Sequence, residues 1–293
     1  MAAATYKYPD QIVSTDWLAE NAGQSDLRVF DCTVYLHYEE GTGRPYRVES
    51  GRAEYDAGHV PGSGFLDLQG DLSDSDSPFR FTMLPLNELA HRFGQHGIGD
   101  ETRVVLYSRK NMQWATRIWW MLRSVGFDNA ALLDGGWDKW NLEGRPVESV
   151  ETKYAAASLT CRPRPSLFVG PDEVNAAIGD SATCTLNALS AELHSGQTHR
   201  YGRPGRIPGS VNVPAADLQI GEAKVLADAA TVSSKFAGVG ASPDKRIILY
   251  CGGGIAATLD AFLLHQLGYE NLTVYDNSMS EWATNETLPI ERD

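Results

Sequence analysis

Residues 246–257 read Arg-Ile-Ile-Leu-Tyr-Cys-Gly-Gly-Gly-Ile-Ala-Ala, and this order decides the fold. The apolar, β-branched run 246–250 reads as a buried strand, the glycines interrupt it, and ATLDAFLLHQLG at 257–268 has the period of a helix. The same construction occurs earlier, where VVLYS at 104–108 parallels IILYC at 247–251 and the helical TRIWWMLRSVG spans 116–126. Downstream, GFDNAALLDGGWDKW at 126–140 parallels GYENLTVYDNSMSEW at 268–282 without a gap, and upstream GHVPGS at 58–63 parallels GRIPGS at 205–210. Three blocks in one order describe two copies of one unit. Strand, helix and strand in alternation predict an α/β fold in which each copy is a parallel sheet with helices on both faces. Gly126 and Gly268 are expected to end their helices in left-handed caps. The first copy is assigned residues 1–152, a linker 153–165, stiffened by Cys161-Arg-Pro-Arg-Pro165, and the second copy 166–293.

Composition narrows the function. The chain has 293 residues, 42% of them hydrophobic, with 28 glycines and a formal charge of −13. Disordered and collagen-like classes are excluded. A surface this acidic repels phosphate backbones, so no nucleic acid is expected as a partner. Met1–Tyr8 lacks a signal-peptide apolar core and no segment approaches the roughly 20 apolar residues that cross a bilayer, so a cytoplasmic protein without a membrane partner is expected. Cys32, Cys161, Cys184 and Cys251 contain no C-x-x-C pair, which argues against a disulfide scaffold and against structural zinc.

The second loop carries chemistry. It places the Cys251 thiol at the carboxyl end of a parallel strand and the amino end of a helix, where open α/β sheets hold ligands. Gly252, Gly253 and Gly254, followed by Ile255 and Ala256, let backbone N–H groups curl around the sulfur and, with the helix dipole, favour an anion. A thiolate is the expected resting form. The first copy has Ser108-Arg-Lys-Asn-Met at this place, one residue longer and without a thiol. A phosphatase would need an arginine at the position of Ala257 to clamp phosphoryl oxygens.

With HVPGS at 59–63, ATRIWWMLRSVGF at 115–127, LLDGGWDKW at 132–140, RIPGSVNVP at 206–214, YCGGGIAAT at 250–258 and LGYENLTVYDNSMSEW at 267–282, the chain resembles the two-domain rhodanese family, the thiosulfate and 3-mercaptopyruvate sulfurtransferases. The resemblance implies two tandem rhodanese-like domains, the first inactive. It also implies that Cys251 takes sulfane sulfur from a small-molecule donor, holds it as a persulfide and passes it to a thiophilic acceptor, cyanide or a thiol, with no cofactor and no metal. The alternative is a persulfide-binding or partner-binding module with little turnover. The oligomeric state stays open.

Besides Val34-Tyr35 in place of a Trp-Tyr pair and Arg206 in place of histidine before Ile-Pro-Gly, three departures from the family pattern bear on the donor. Gly253 stands where the mercaptopyruvate type has serine, Asn187-Ala-Leu189 replaces an Asp-x-Arg that holds the donor, and Thr82-Met-Leu-Pro85 replaces His-Met-Leu-Pro. Arg203 and Arg206, in a glycine-rich loop with His199 and Arg200, are therefore expected to bind the donor's anionic group. Asp67 and Trp114 are expected as walls of the cleft, and His59 as a structural turn residue.

Overall fold

A computed structural model of the chain describes residues 4–38 and 45–293. The two expected strands form as Arg103–Tyr107 and Arg246–Tyr250, each central in a five-stranded parallel sheet. The first sheet runs Ile12–Val13, Ala130–Leu133, Arg103–Tyr107, Leu27–Asp31, Gly64–Phe65. The second runs Phe168–Val169, Leu272–Tyr275, Arg246–Tyr250, Thr183–Asn187, Val211–Asn212. The orders correspond strand for strand, so the repeat in the sequence is a repeat in topology. In the first sheet Val29, Val105, Tyr107, Ala131 and Leu133 pack with Leu18 and Trp140, while the alternate residues Phe30, Val104, Leu106 and Leu132 join the cluster of Leu89, Phe93 and Ile118. Side chains of a strand alternate between faces, so both faces are covered.

Helices Gln113–Ser124 and Ala256–Gln266 follow the central strands and give way to Gly126 (φ 88°) and Gly268 (φ 89°). The two helices pack on one another. Thr116 Oγ1 lies 2.9 Å from Thr258 Oγ1, and Trp119 meets Phe262 edge-on at 4.9 Å. Thr116 and Thr258 hold equivalent positions in the aligned copies, so a pseudo-two-fold axis passes between them. A second pair obeys the same symmetry: Met83 N–H donates to Asp276 Oδ2 at 2.8 Å and Leu226 N–H to Asp134 Oδ1 at 2.8 Å.

Residues 149–164 carry neither helix nor strand, yet they are held to the first copy by bonds from Ala157 N–H to Gly94 O (2.9 Å) and Arg162 N–H to Val125 O (2.8 Å). A side chain at Gly126 would strike the Arg162 backbone, so that glycine serves both the helix end and the passing chain. At the other terminus, Lys7 N–H donates to Gln266 O at 2.7 Å and the Tyr8 ring stacks on His265 at 4.4 Å. Lys7 and Tyr8 thus strap onto the second copy. Among the described residues no helix is long and apolar enough to cross a membrane.

The helix Ala256–Gln266 is buried on nearly all sides and contains one carboxyl, Asp260, neither of whose oxygens has a partner. Burial, with Asp217 adding to it, raises Asp260 well above the ordinary carboxylate range. A raised folded-state value means that the neutral form is favoured in the fold and that stability is lost as pH rises above the unfolded value. Asp260→Leu keeps the fork at Cγ and discards both oxygens. It should raise unfolding free energy at pH 7 by about 1–3 kcal/mol, the cost of an unmade buried hydrogen bond. The gain should shrink as pH falls toward about 4, and denaturant melts at both pH values will show it.

Candidate active site

The strand Arg246–Tyr250 delivers Cys251 to a loop that closes at Ile255, with the cysteine 2% exposed. Ser278 builds the loop's inner support. Its Oγ accepts N–H bonds from Cys251 (3.0 Å) and Gly254 (3.2 Å) and donates to Tyr275 O (2.7 Å). Ser278 sits at φ 50°, where the first copy has Gly136 at φ 53°. A left-handed residue with a Cβ costs roughly 1–2 kcal/mol, and here it holds the hydroxyl that ties both amides. Of the loop amides expected to face the sulfur, that of Gly254 is thus spent on Ser278, as is the amide of Cys251 itself. The N–H groups of Gly252, Gly253 and Ile255 have no hydrogen-bond partner among the described residues. The Gly252 carbonyl accepts from Ser280 N–H (2.8 Å) and Ser280 Oγ (2.7 Å).

The first copy supplies the outer support. Arg117, fully buried, donates to Gly254 O (3.0 Å), Phe81 O (2.7 Å) and Asp276 Oδ1 (2.6 Å), and its guanidinium lies 4.7 Å over the Phe168 ring. Phe81 is itself left-handed, at φ 65°. Sequence reasoning missed this role for Arg117. The available signal was one arginine inside an otherwise aromatic and apolar turn of helix.

Each glycine of the loop has a steric reason. A Cβ at Gly252 would collide with the Tyr201 hydroxyl, one at Gly254 (φ 70°) with Asp276 O, and one at Gly253 would lie 3.0 Å from the Tyr46 hydroxyl. Tyr46, from the first copy, meets Tyr201 at 6.4 Å and Phe81 at 6.3 Å, and Phe81 meets Trp114 at 5.5 Å. Trp114 therefore stands behind the aromatic wall, against Phe81. Burial, partly offset by the nearby Ser280 hydroxyl, pushes Tyr46 up to about 12, and charge on Cys251 adds to the rise. Burial likewise drives Tyr201 upward. The other three thiols, Cys32, Cys161 and Cys184, are also pushed up by burial, which disfavours their thiolates.

Several expected site residues lie elsewhere. Arg203 donates to the carbonyls of Ala283 (3.1 Å), Leu288 (3.0 Å), Trp282 (3.0 Å) and Asn285. Arg206 pairs with Glu291 and with Asp293 (2.7 Å). Both guanidiniums are consumed in fastening the C-terminal segment, which corrects the donor-clamp expectation. Of that cluster Arg200 differs, stacking 3.7 Å over Tyr38 of the first copy. Asp67 is corrected too: its Oδ1 caps a turn at Gly70 N–H (2.9 Å), and it lines a groove of about 410 Å³ with Arg52, His96 and Lys153, none of which belongs to the Cys251 loop. His59 bonds Tyr55 O at 2.7 Å, as a structural turn residue would.

The first copy's loop is filled by its own side chains. Ser108 Oγ donates to Asn111 O (2.6 Å), Arg109 pairs with buried Asp31 (3.3 Å) under Trp137, and Lys110 N–H donates to Asp138. Among the described residues no cluster of three or more His, Cys, Asp or Glu could hold a metal ion.

The sequence profile of the rhodanese-like domain matches residues 14–143 and 192–285. Thiosulfate/3-mercaptopyruvate sulfurtransferase 2 of Arabidopsis thaliana is 32% identical over 96% of this chain and 86% of its own. The 3-mercaptopyruvate sulfurtransferase of Escherichia coli K12 is 30% identical over 95% of this chain and 97% of its own. Among solved structures, the Escherichia coli enzyme SseA superposes with TM-score 0.77 and 26% identity, covering 92% of this chain and 98% of that one. An anaerobic ergothioneine biosynthesis enzyme from Chlorobium limicola superposes with TM-score 0.82 and 20% identity over 98% of this chain and 71% of that one, a likeness of fold.

Two substitutions check the geometry. Ser278→Ala removes the acceptor of two loop amides and keeps the backbone strain, so it should cost about 1–3 kcal/mol of stability. If the sulfur transferred is held on Cys251, its loading should slow by about tenfold or more, since 1.4 kcal/mol is a decade in rate. Arg203→Ala should lower stability by about 2–3 kcal/mol through the carbonyls left bare, while transfer rate stays within about twofold. Denaturant melts beside a sulfur-transfer assay distinguish the two roles.

Proposed function

Since the chain belongs to the rhodanese-like family and is a sulfurtransferase, we propose that it carries sulfane sulfur as a persulfide on Cys251, from thiosulfate or 3-mercaptopyruvate to cyanide or a thiol. The observation that supports this most is the loop itself: a cysteine at a strand's carboxyl end, with the free N–H groups of Gly252, Gly253 and Ile255 beside it and the helix from Ala256 behind. The Cys251 thiolate attacks the donor's outer sulfur, an S–S bond forms, and sulfite or pyruvate leaves with the electron pair of the broken bond. The free amides and the helix dipole hold the terminal persulfide anion as they hold the thiolate, which stabilises both resting states of a two-step cycle. An acceptor nucleophile then takes the outer sulfur and restores the thiolate.

In this reading residues 166–293 carry the chemistry, 153–165 the connection, and residues 1–152 the support, through Arg117 and the aromatic wall. All four cysteines are free, which suits a reducing compartment such as the cytoplasm. Incubation with thiosulfate or mercaptopyruvate should add the mass of one sulfur to Cys251 in intact-mass spectra. Cys251→Ser should lose both the mass gain and turnover with little change in the fold, because a hydroxyl cannot form a persulfide, whereas Cys32→Ser should keep both. No sulfur gain from any sulfane donor, or turnover by Cys251→Ser at the wild-type rate, would remove the assignment.

A further inference from the structure

We propose that the Tyr46 hydroxyl, brought from the first copy to the Cys251 loop, carries the proton that a carbon-bound thiol donor needs to release its sulfur. The inference rests on the persulfide reading of Cys251 and adds a catalytic residue to it, one that acts with the thiol-bearing 2-oxo acid and not with thiosulfate.

The two donors differ in their proton requirement. With thiosulfate, Cys251 S⁻ bonds to the outer sulfur, the S–S bond of the donor breaks, and sulfite departs with the electron pair; no proton moves. With mercaptopyruvate, Cys251 S⁻ bonds to the thiol sulfur and the C–S bond breaks. Its electron pair falls on the methylene carbon, which must be protonated to give pyruvate. The proton lost by the donor's S–H balances the one gained by carbon, so the site needs a group that gives a proton to carbon and recovers it from sulfur.

Two positions that could hold such a group are closed. Gly253 has no hydroxyl, and Thr82 Oγ1 is spent on Asn277 Oδ1 at 2.9 Å. Tyr46 fills the place. Its hydroxyl lies 3.0 Å from where a Cβ at position 253 would be, the region a serine hydroxyl there would enter. Ser280 Oγ lies 3.8 Å from the same Cβ position and donates to Gly252 O at 2.7 Å, so a hydroxyl from each copy faces the middle glycine of the loop. The first copy has Asp138 at the position of Ser280, where it binds its own loop's Lys110 N–H; the second copy has a neutral hydroxyl there, which leaves no carboxylate beside the phenol. Burial keeps the phenol protonated, hence able to donate. The alternative phenol, Tyr201, covers Gly252.

The test measures the rate at which Cys251 gains sulfur from each donor in a single turnover, alongside its alkylation by iodoacetamide. Tyr46→Phe should slow loading from mercaptopyruvate by about 100-fold or more, the scale of general acid catalysis, and leave thiosulfate loading and alkylation within about threefold. Adding Gly253→Ser to Tyr46→Phe, which returns a hydroxyl to the same space, should restore at least about a tenfold part of the loss. Equal slowing with both donors or of alkylation, which a structural role would give, overturns the inference, as does undiminished mercaptopyruvate loading or a wild-type protein that loads from thiosulfate alone. Wild-type protein that loads from neither donor removes the persulfide reading, and this inference with it.

Discussion

The guanidinium of Arg117 is the contact on which the rest of the molecule depends. It is 0% exposed, and three of its bonds end on groups that sequence separates widely: Phe81, Gly254 and Asp276. A charge this far from water survives only when paired and bonded, and removing one partner of such a pair strands the other at a cost of about 3–5 kcal/mol. The arginine therefore requires both copies to dock in one way. That docking turns the Phe81 carbonyl inward through a left-handed residue and presses Asp276 against Gly254, which leaves room there for no side chain. The loop's shape is a consequence of a contact between copies as much as of its three glycines.

The comparison of the copies separates the contacts they share at their docking surface from the loops in which they differ. Asp134 and Asp276 each receive a backbone N–H from the opposite copy, and Thr116 meets Thr258. These are shared. The loops have diverged: Arg109 and Asp138 occupy the first, whereas the second is bounded by phenols and hydroxyls and keeps three amides free. Gly136 and Ser278 share a left-handed angle at equivalent positions, and of the two the serine alone has a hydroxyl to tie Cys251 and Gly254.

Much of this was legible in the sequence because it is local. The strand at 246–250, the glycine loop, the helix after it and the caps at Gly126 and Gly268 follow from patterns a few residues long, and the repeat confirmed them by occurring twice. Arg117, Tyr46, Tyr201 and Ser278 were not legible, because each acts on the loop from a distant part of the chain and none stands in a pattern that names its partner. The same blindness misplaced Arg203, Arg206 and Asp67. A loop cation near a turn looks free until the C-terminal carbonyls and carboxylates that claim it are in view. The glycines were read as freedom for the backbone; the fold adds that two of them clear space for tyrosine hydroxyls.

The Thr116–Thr258 contact has a consequence of another kind. An interface that maps each residue onto its own counterpart is the kind formed by two identical chains about a two-fold axis. A surface of this sort pairs separate polypeptides without any covalent connection, and joining them end to end raises only the effective concentration at which they meet. The duplicated chain carries the geometry of a homodimer inside one polypeptide. Covalent linkage releases the two halves from identity, so that one half can supply an arginine and a phenol to the loop of the other.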